Sequence, residues 1–179
     1  MAATRRSTAA VAAGRLGRYI TRARALGATD ARVISPKDVV CAEWVRLKCQ
    51  YGCDGHGACL TCPPFSPTPA HTRRILDEYS RLLLVHCTRW RSVSRLVAKL
   101  EREILLDDHP KVFAWGAGPC QLCRTCHTDA PCKHAELARP SMEACGIDVF
   151  STARRAKFPI HVVRTESDDQ NYFGLIAIE

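Results

Sequence analysis

Residues 119–134 read PCQLCRTCHTDAPCKH and place Cys120, Cys123, Cys126 and Cys132 within thirteen positions. Two consecutive C-x2-C steps bring three sulfurs to one side of a tight loop, and the fourth cysteine can fold back onto the same centre. Runs of this kind are typical of loops that wrap an iron–sulfur cluster. Zinc modules usually present two separated pairs of ligands instead. The stretch therefore predicts an iron–sulfur centre, of the 4Fe-4S type, with zinc as the alternative.

A second cysteine group lies upstream, in residues 49–67, CQYGCDGHGACLTCPPFSP. Its members, Cys49, Cys53, Cys59 and Cys62, follow the spacing C-x3-C-x5-C-x2-C. The glycines between them allow a backbone that folds closely round a bound group. Either four thiolates complete one site here, or three hold a cluster and leave one iron open to a ligand or a partner.

Further ligands are possible outside these two runs. Ser141 predicts a helix start, and a helix N-terminus lowers the pKa of a nearby thiol, so Cys145 is a candidate for whichever site lacks a ligand. Its alternative role is that of a small apolar residue in the core. In zinc sites, His56, His127 or His134 would replace sulfurs.

The overall composition favours a reducing compartment. Eleven cysteines would suggest a disulfide scaffold in a short secreted chain, but the count is odd and no secretory signal is recognised. We therefore expect free or metal-bound thiols and a cytoplasmic protein. Cys41 and Cys87 lie in apolar stretches and are assigned to the core.

The charge is concentrated at the N-terminus. Six of the 26 basic side chains lie in residues 1–27, which hold no acid, so the other 20 nearly balance the 18 acidic ones. We therefore expect no nucleic-acid partner. No run of about eighteen apolar residues suggests a membrane span. Residues 1–14 predict a disordered basic tail, with an organelle transit peptide as the alternative.

The remaining residues, 15–179, predict a single cysteine-rich metal-binding domain of the α/β class, with α+β as the alternative. We expect one central mixed sheet flanked by helices, with the two cysteine loops at the same end of that sheet. The predicted helices cover residues 15–26, a segment opening at Pro69, a segment capped by Ser92, and 141–157. The predicted strands cover residues 31–34, 39–45, 82–87 and 112–115, and a closing hairpin of 160–164 with 172–178.

Three motifs make the chain resemble a family of predicted metal-binding proteins, domain of unknown function 2284. They are CxxGC with a distal CPP at residues 49–64, GPCxLCxxC at 118–126, and RPSMEAxGIDV at 139–149. The resemblance runs from about residue 14 to the end of the chain. It implies a metal or iron–sulfur protein without an assigned reaction, and Cys59 is an addition to the family pattern.

The leading hypothesis is a protein that carries one or two iron–sulfur clusters and transfers electrons or serves a partner enzyme as a redox accessory. Cys120, Cys123, Cys126 and Cys132 would hold one cluster. Cys49, Cys53 and Cys62 would hold the other, with Cys59 or Cys145 as a fourth ligand. The alternative is a zinc-stabilised interaction module without redox chemistry. Catalysis by the chain itself is the less favoured class, because no phosphate loop, nucleotide fingerprint or nucleophile triad is recognised.

Overall fold

The computed structural model of the protein describes residues 16–179. The predicted tail of residues 1–14 lies outside the described residues. The helices are α1 at residues 16–25, α2 (Trp44–Gly52), α3 (Pro69–Asp77), α4 (Trp90–Leu106) and α5 (Val149–Arg155). The strands are β1 (Asp30–Ile34), β2 (Leu82–Cys87), β3 (Phe113–Trp115) and β4 (Tyr172–Ala177), and short 3-10 turns cover Pro36–Asp38 and Glu143–Cys145.

The four strands form one sheet in the order β1-β2-β4-β3, and each neighbouring pair is antiparallel. The prediction of one sheet with flanking helices is confirmed. We expected a mixed sheet, but every neighbouring pair is antiparallel. The reason is that β4, the last strand of the chain, lies between β2 and β3. Those two strands run in the same direction, and α4 connects them across β4.

Each face of the sheet has its own core. Alternate residues of β2 point to opposite faces: Leu83 and Val85 pack with α1 and α4, while Leu82 and Leu84 pack with α3 and α5. This double burial explains why LLLVHC reads as a continuous apolar run. The predicted stripe of α4 lies in the first core from Val93 to Ile104. Its last member, Leu105, is 43% exposed. It directly follows Ile104 on the helix, and the next position along a helix points in a different direction, here away from the sheet.

The predicted strand at residues 39–45 is wrong. Only Cys41 makes a bridge there, to Ile147, and α2 begins at Trp44. The residues after Cys41 are mostly helix formers, and Val45 packs inward from a helix. The bridge places α2, with Cys49, beside the 3-10 turn Glu143–Cys145.

The predicted closing hairpin is also wrong. Residues 172–177 form β4, but residues 160–164 adopt no strand. Both edges of β4 are already hydrogen-bonded, to β2 and to β3, so a hairpin partner has no free edge to join.

Two helix starts differ from the predictions. The helix predicted for residues 141–157 is divided by Gly146, which adopts the left-handed conformation with φ of 75°. The Ser141 hydroxyl accepts only from the Ala144 amide in the 3-10 turn, whose N-cap is Met142, and Asp148 caps α5. The helix α4 starts at Trp90, before the predicted cap Ser92. The prediction for α3 is confirmed, with Thr68 as its cap.

Candidate metal centre

The cysteine loop of residues 117–140 is closed at its base. Where β3 ends, the Gly116 amide donates to the Pro140 carbonyl at 2.8 Å, and the Met142 amide donates to the Gly116 carbonyl at 3.0 Å. The chain therefore leaves the sheet and returns to it at the same point. The base is rigid because it belongs to the sheet edge, and the cysteines lie in the irregular part beyond it.

A buried ion pair holds the C-terminal end of this loop, next to its base. Arg139 donates from Nε to Oε2 of Glu101 at 2.5 Å and from Nη2 to Oε1 at 2.9 Å, while its Nη1 donates to the carbonyls of Ala135 and Ala138. The Glu101 side chain belongs to α4 and is 9% exposed. Nothing in the sequence pattern links two opposite charges so far apart along the chain, so sequence reasoning missed this contact.

Five cysteines line one small cavity of about 20 Å³, together with His134. Four of them are the predicted set, and the structure places these four around the same cavity. They are Cys120, Cys123, Cys126 and Cys132. The fifth, Cys59, comes from the upstream group and is almost fully buried.

The environment of Cys59 favours its thiolate. Burial by itself would raise the pKa of this thiol, yet hydrogen bonds from the Thr61 hydroxyl and from backbone and side-chain groups nearby lower it overall. The Sγ of Cys59 lies 3.3 Å from Oγ1 of Thr61. The pKa of Cys120 is raised, first by burial and then also by the negative charge of Cys59. Cys59 therefore lies against the downstream loop and also adjoins Cys62, and its assignment as a ligand of the upstream group stays a prediction.

The other upstream cysteines, Cys49, Cys53 and Cys62, line a second and larger cavity. Cys49 lies in α2, and Cys53 is the residue at which that helix ends. Burial raises the pKa of the Cys62 thiol to about 12, with further increases from the charges of Cys59 and Cys53. Burial likewise raises the pKa of Cys49, and Cys53 adds to the effect.

Gly55 lies directly against two of these sulfurs. A Cβ at this position would lie 3.1 Å from Sγ of Cys62 and 3.6 Å from Sγ of Cys53. The missing side chain leaves the backbone close to the thiols, where a bound group would otherwise meet a methyl.

The two cysteine groups meet through the turn of residues 59–62. The Cys62 amide donates to the Cys59 carbonyl at 2.9 Å, so these two residues are held in one turn. One faces the downstream loop and the other faces Cys53, because the turn places their side chains toward different cavities. The two predicted centres would therefore be neighbours.

The donor set suits a thiolate-bound metal, since eight sulfurs surround two adjacent cavities and Gly55 leaves room beside one of them. Among residues 16–179, however, no three Cys, His, Asp or Glu side chains are already gathered as a complete ligand set. Binding here requires side-chain movements within the two loops.

Cys145 occupies a different environment. It is fully buried in the core on the α3 and α5 side of the sheet, where its thiol is surrounded by Trp115, Thr72 and Cys41. Burial raises its pKa to about 12. The core assignments of Cys87 and Cys41 are confirmed, since Cys87 is buried and Cys41 is partly buried.

The three candidate histidines are placed differently. His134 lines the cavity of the downstream loop, and His56 lines the larger cavity beside Cys49. His127 is exposed.

Within the part of the chain that the structure describes, no helix has the length and apolar character needed to span a bilayer.

Comparison with known proteins identifies the family. The family model described as Predicted metal-binding protein (DUF2284) matches residues 32–178. No curated protein matches significantly, and neither does any solved structure. The match includes both cysteine groups and the segment of residues 139–149, so the resemblance inferred from the three motifs is confirmed. The chain belongs to the DUF2284 family of predicted metal-binding proteins.

Proposed function

We propose that the two cysteine groups hold one or two iron–sulfur clusters, of the 4Fe-4S type, and that the protein transfers electrons or serves a partner enzyme as a redox accessory. The observation that carries this proposal is the cavity lined by Cys59 and the four cysteines of residues 120–132. Sulfur is the ligand that iron–sulfur clusters use most, and the run C-x2-C-x2-C is a spacing they favour.

Two side chains, those of Thr61 and Arg139, would support a cluster bound at this site. A bound cluster would supply one-electron transfer. The Thr61 hydroxyl lies 3.3 Å from Sγ of Cys59 and would donate to it once Cys59 is a thiolate ligand. Hydrogen bonds to ligand sulfurs are among the factors that set a cluster's reduction potential. Arg139 ties the C-terminal end of the downstream loop to Glu101 of α4.

The partner would approach at the downstream loop. Cys123 is exposed, and Cys126 beside it is partly exposed, so a cluster held there would lie near the surface. Nearby solvent access also affects the potential. All eleven cysteines are free thiols, which suits a reducing compartment, and we place the protein in the cytoplasm.

Anaerobic purification followed by iron, zinc and acid-labile sulfide analysis tests the proposal. Iron and sulfide in similar amounts, with broad visible absorption and an electron paramagnetic resonance signal after reduction, are expected. Stoichiometric zinc without sulfide in anaerobically prepared protein would refute the iron–sulfur proposal and leave the zinc-stabilised interaction module. Anaerobic handling matters because oxygen can destroy a cluster and free its thiolates for zinc.

Two matched substitutions separate one centre from two. Cys123→Ala and Cys53→Ala each remove one exposed thiol, from the downstream and the upstream group respectively. If there are two clusters, each variant should lose one signal and keep the other. Cys87→Ala, a buried core position, is the control and should keep all the metal. Retention of full iron content in both exposed-thiol variants would contradict the ligand assignment.

A further inference from the structure

Arg46 contacts two segments that are far from it in the chain. It lies on α2, three residues before Cys49, and residues three apart on a helix are neighbours on its surface. Its Nη1 donates to the carbonyl oxygen of Pro67 at 2.8 Å and to that of Ala144 at 3.0 Å. The guanidinium of Arg46 is therefore directed to residues 66–67 and to the 3-10 turn Glu143–Cys145, the two contacted segments.

The two contacted segments adjoin two of the upstream cysteines. In the first segment, the Ser66 amide donates to the Cys62 carbonyl at 3.1 Å. In the second, the Glu143 carbonyl oxygen lies 3.9 Å from Sγ of Cys49. The segments are also joined to each other, because the Ser66 hydroxyl donates to the Ala144 carbonyl at 2.6 Å. The guanidinium therefore lies where the surroundings of two candidate ligands meet.

The charge of Arg46 is not matched by a carboxylate. Within residues 16–179, Arg46 takes part in no ion pair, although the residue is partly buried. Burial raises the pKa of Cys49, and the charge of Arg46 is close enough to oppose that increase. Charges removed from water are usually paired with an opposite charge, so a negative group is expected beside Arg46.

Metal-bound thiols would supply that negative charge. Thiols bind metals as thiolates, and three thiolates already outweigh the charge of a zinc ion. We propose that Arg46 is the positioning residue of the upstream centre: it holds the surroundings of Cys49 and Cys62 together, and its guanidinium offsets the negative charge of the metal-bound thiolates. This inference rests on the proposed centre at Cys49, Cys53 and Cys62, but it holds for zinc as well as for iron.

The reduction potential separates the charge of Arg46 from its hydrogen bonds. One electron from dithionite adds one negative charge to an iron–sulfur centre, so a nearby cation favours the reduced form. In Arg46→Gln the upstream centre should be about tenfold less reduced at a fixed potential, a fall of about 59 mV for a one-electron couple. Arg46→Lys keeps the charge and should shift less than about half as much. Titrations monitored by electron paramagnetic resonance measure this, and the upstream signal is the one lost in Cys53→Ala.

A second measurement does not depend on which metal is bound. Excess chelator should remove the upstream metal about tenfold faster from Arg46→Gln than from wild type, and at a near wild-type rate from Arg46→Lys.

Two control variants match Arg46 in different respects. Lys48→Gln removes a cation from the same helix, but an exposed one that water already screens. Arg73→Gln removes a guanidinium that likewise donates to two carbonyls, at 3.0 and 3.1 Å, but that is paired with Asp77 and lines neither cysteine cavity. Both controls should leave the potential and the chelation rate within about twofold of the wild type.

Equal effects in Arg46→Gln and Arg46→Lys would overturn the proposal, because hydrogen bonds and not charge would then explain them. So would wild-type behaviour of Arg46→Gln, an equally large effect in Lys48→Gln, or an equal shift of the downstream signal, which would indicate a general change in the fold. Iron and sulfide are measured in the same samples. If they are absent while the chelation results hold, the role of Arg46 stands and the iron–sulfur proposal fails. If they are present and Arg46→Gln behaves as wild type, only the role of Arg46 is rejected.

Discussion

Replacing Arg139 by methionine should lower the free energy of unfolding by about 3–5 kcal/mol, because it leaves a carboxylate buried without its partner. The pair is bidentate, at 2.5 and 2.9 Å, and the two side chains are only 15% and 9% exposed. Water therefore cannot replace the guanidinium on Glu101. The substitution also removes two hydrogen bonds to the carbonyls of Ala135 and Ala138.

The pair between Arg22 and Glu103 is a matched control. It has the same bidentate geometry, with both distances 2.7 Å, and its acid lies on the same helix α4. Its side chains are 43% and 33% exposed, so Arg22→Met should cost no more than about 1 kcal/mol. The midpoint of thermal unfolding should fall by about 6–20 °C in Arg139→Met. In Arg22→Met it should fall by at most about 4 °C.

Thermal and urea unfolding of both variants, compared at equal metal content, measures the difference. The double variant Arg139→Met with Glu101→Met should recover most of the loss, because it no longer leaves a buried charge unpaired. Equal losses for Arg139→Met and Arg22→Met, or no recovery in the double variant, would refute the argument that burial decides the strength of the Arg139 pair.

Three more predictions follow from the geometry. The pKa of Asp30 is lowered overall, because its arginine partners and a backbone amide outweigh the upward effect of burial. Asp30→Asn should therefore cost up to about 1 kcal/mol at neutral pH, and urea unfolding should show this difference shrinking as the pH falls below about 4, the ordinary pKa of an aspartate. Gly146→Ala should cost at least about 2 kcal/mol in urea unfolding, because φ is +75° and the new Cβ would lie 2.3 Å from a proline ring. Gly57→Ala, with φ of +71° and open space around its Cβ position, should cost less, and an equal cost would contradict the steric argument. Cys59→Ser should change the metal spectrum as Cys126→Ser does, since both sulfurs line one cavity, and a spectrum unlike that variant's would contradict the placement.

The larger part of the candidate site was predictable, because metal ligands need particular residue types at short spacings. The four cysteines of residues 120–132 are adjacent in sequence, and they also line one cavity. The position of Cys59 was not predictable, since the four upstream cysteines, of which it is one, could be grouped in several ways. Its contact with Cys120 depends on how two loops dock, and spacing within one loop carries no information about that.

Glu143 illustrates a second limit. In sequence it reads as an acid that favours a helix N-terminus, and that local explanation is sufficient by itself. In the structure Glu143 lines a cavity between α2 and the segment of residues 160–163, and its Oε2 is buried without a hydrogen-bond partner among the described residues. These walls come from parts of the chain far apart in sequence, so the cavity has no local signal.

The amino-acid sequence by itself indicated the candidate thiol ligands, the buried strand β2 and the apolar stripe of α4, because each depends on residues close together in the chain. The tertiary structure decided that β4 lies between β2 and β3, that Cys145 is in the core, and that Cys59 faces the downstream loop. Those outcomes depend on which surfaces are left free once the other elements have packed. Several strand edges can form hydrogen bonds and several apolar faces can pack against one another. A local sequence pattern does not indicate which edges pair and which faces meet.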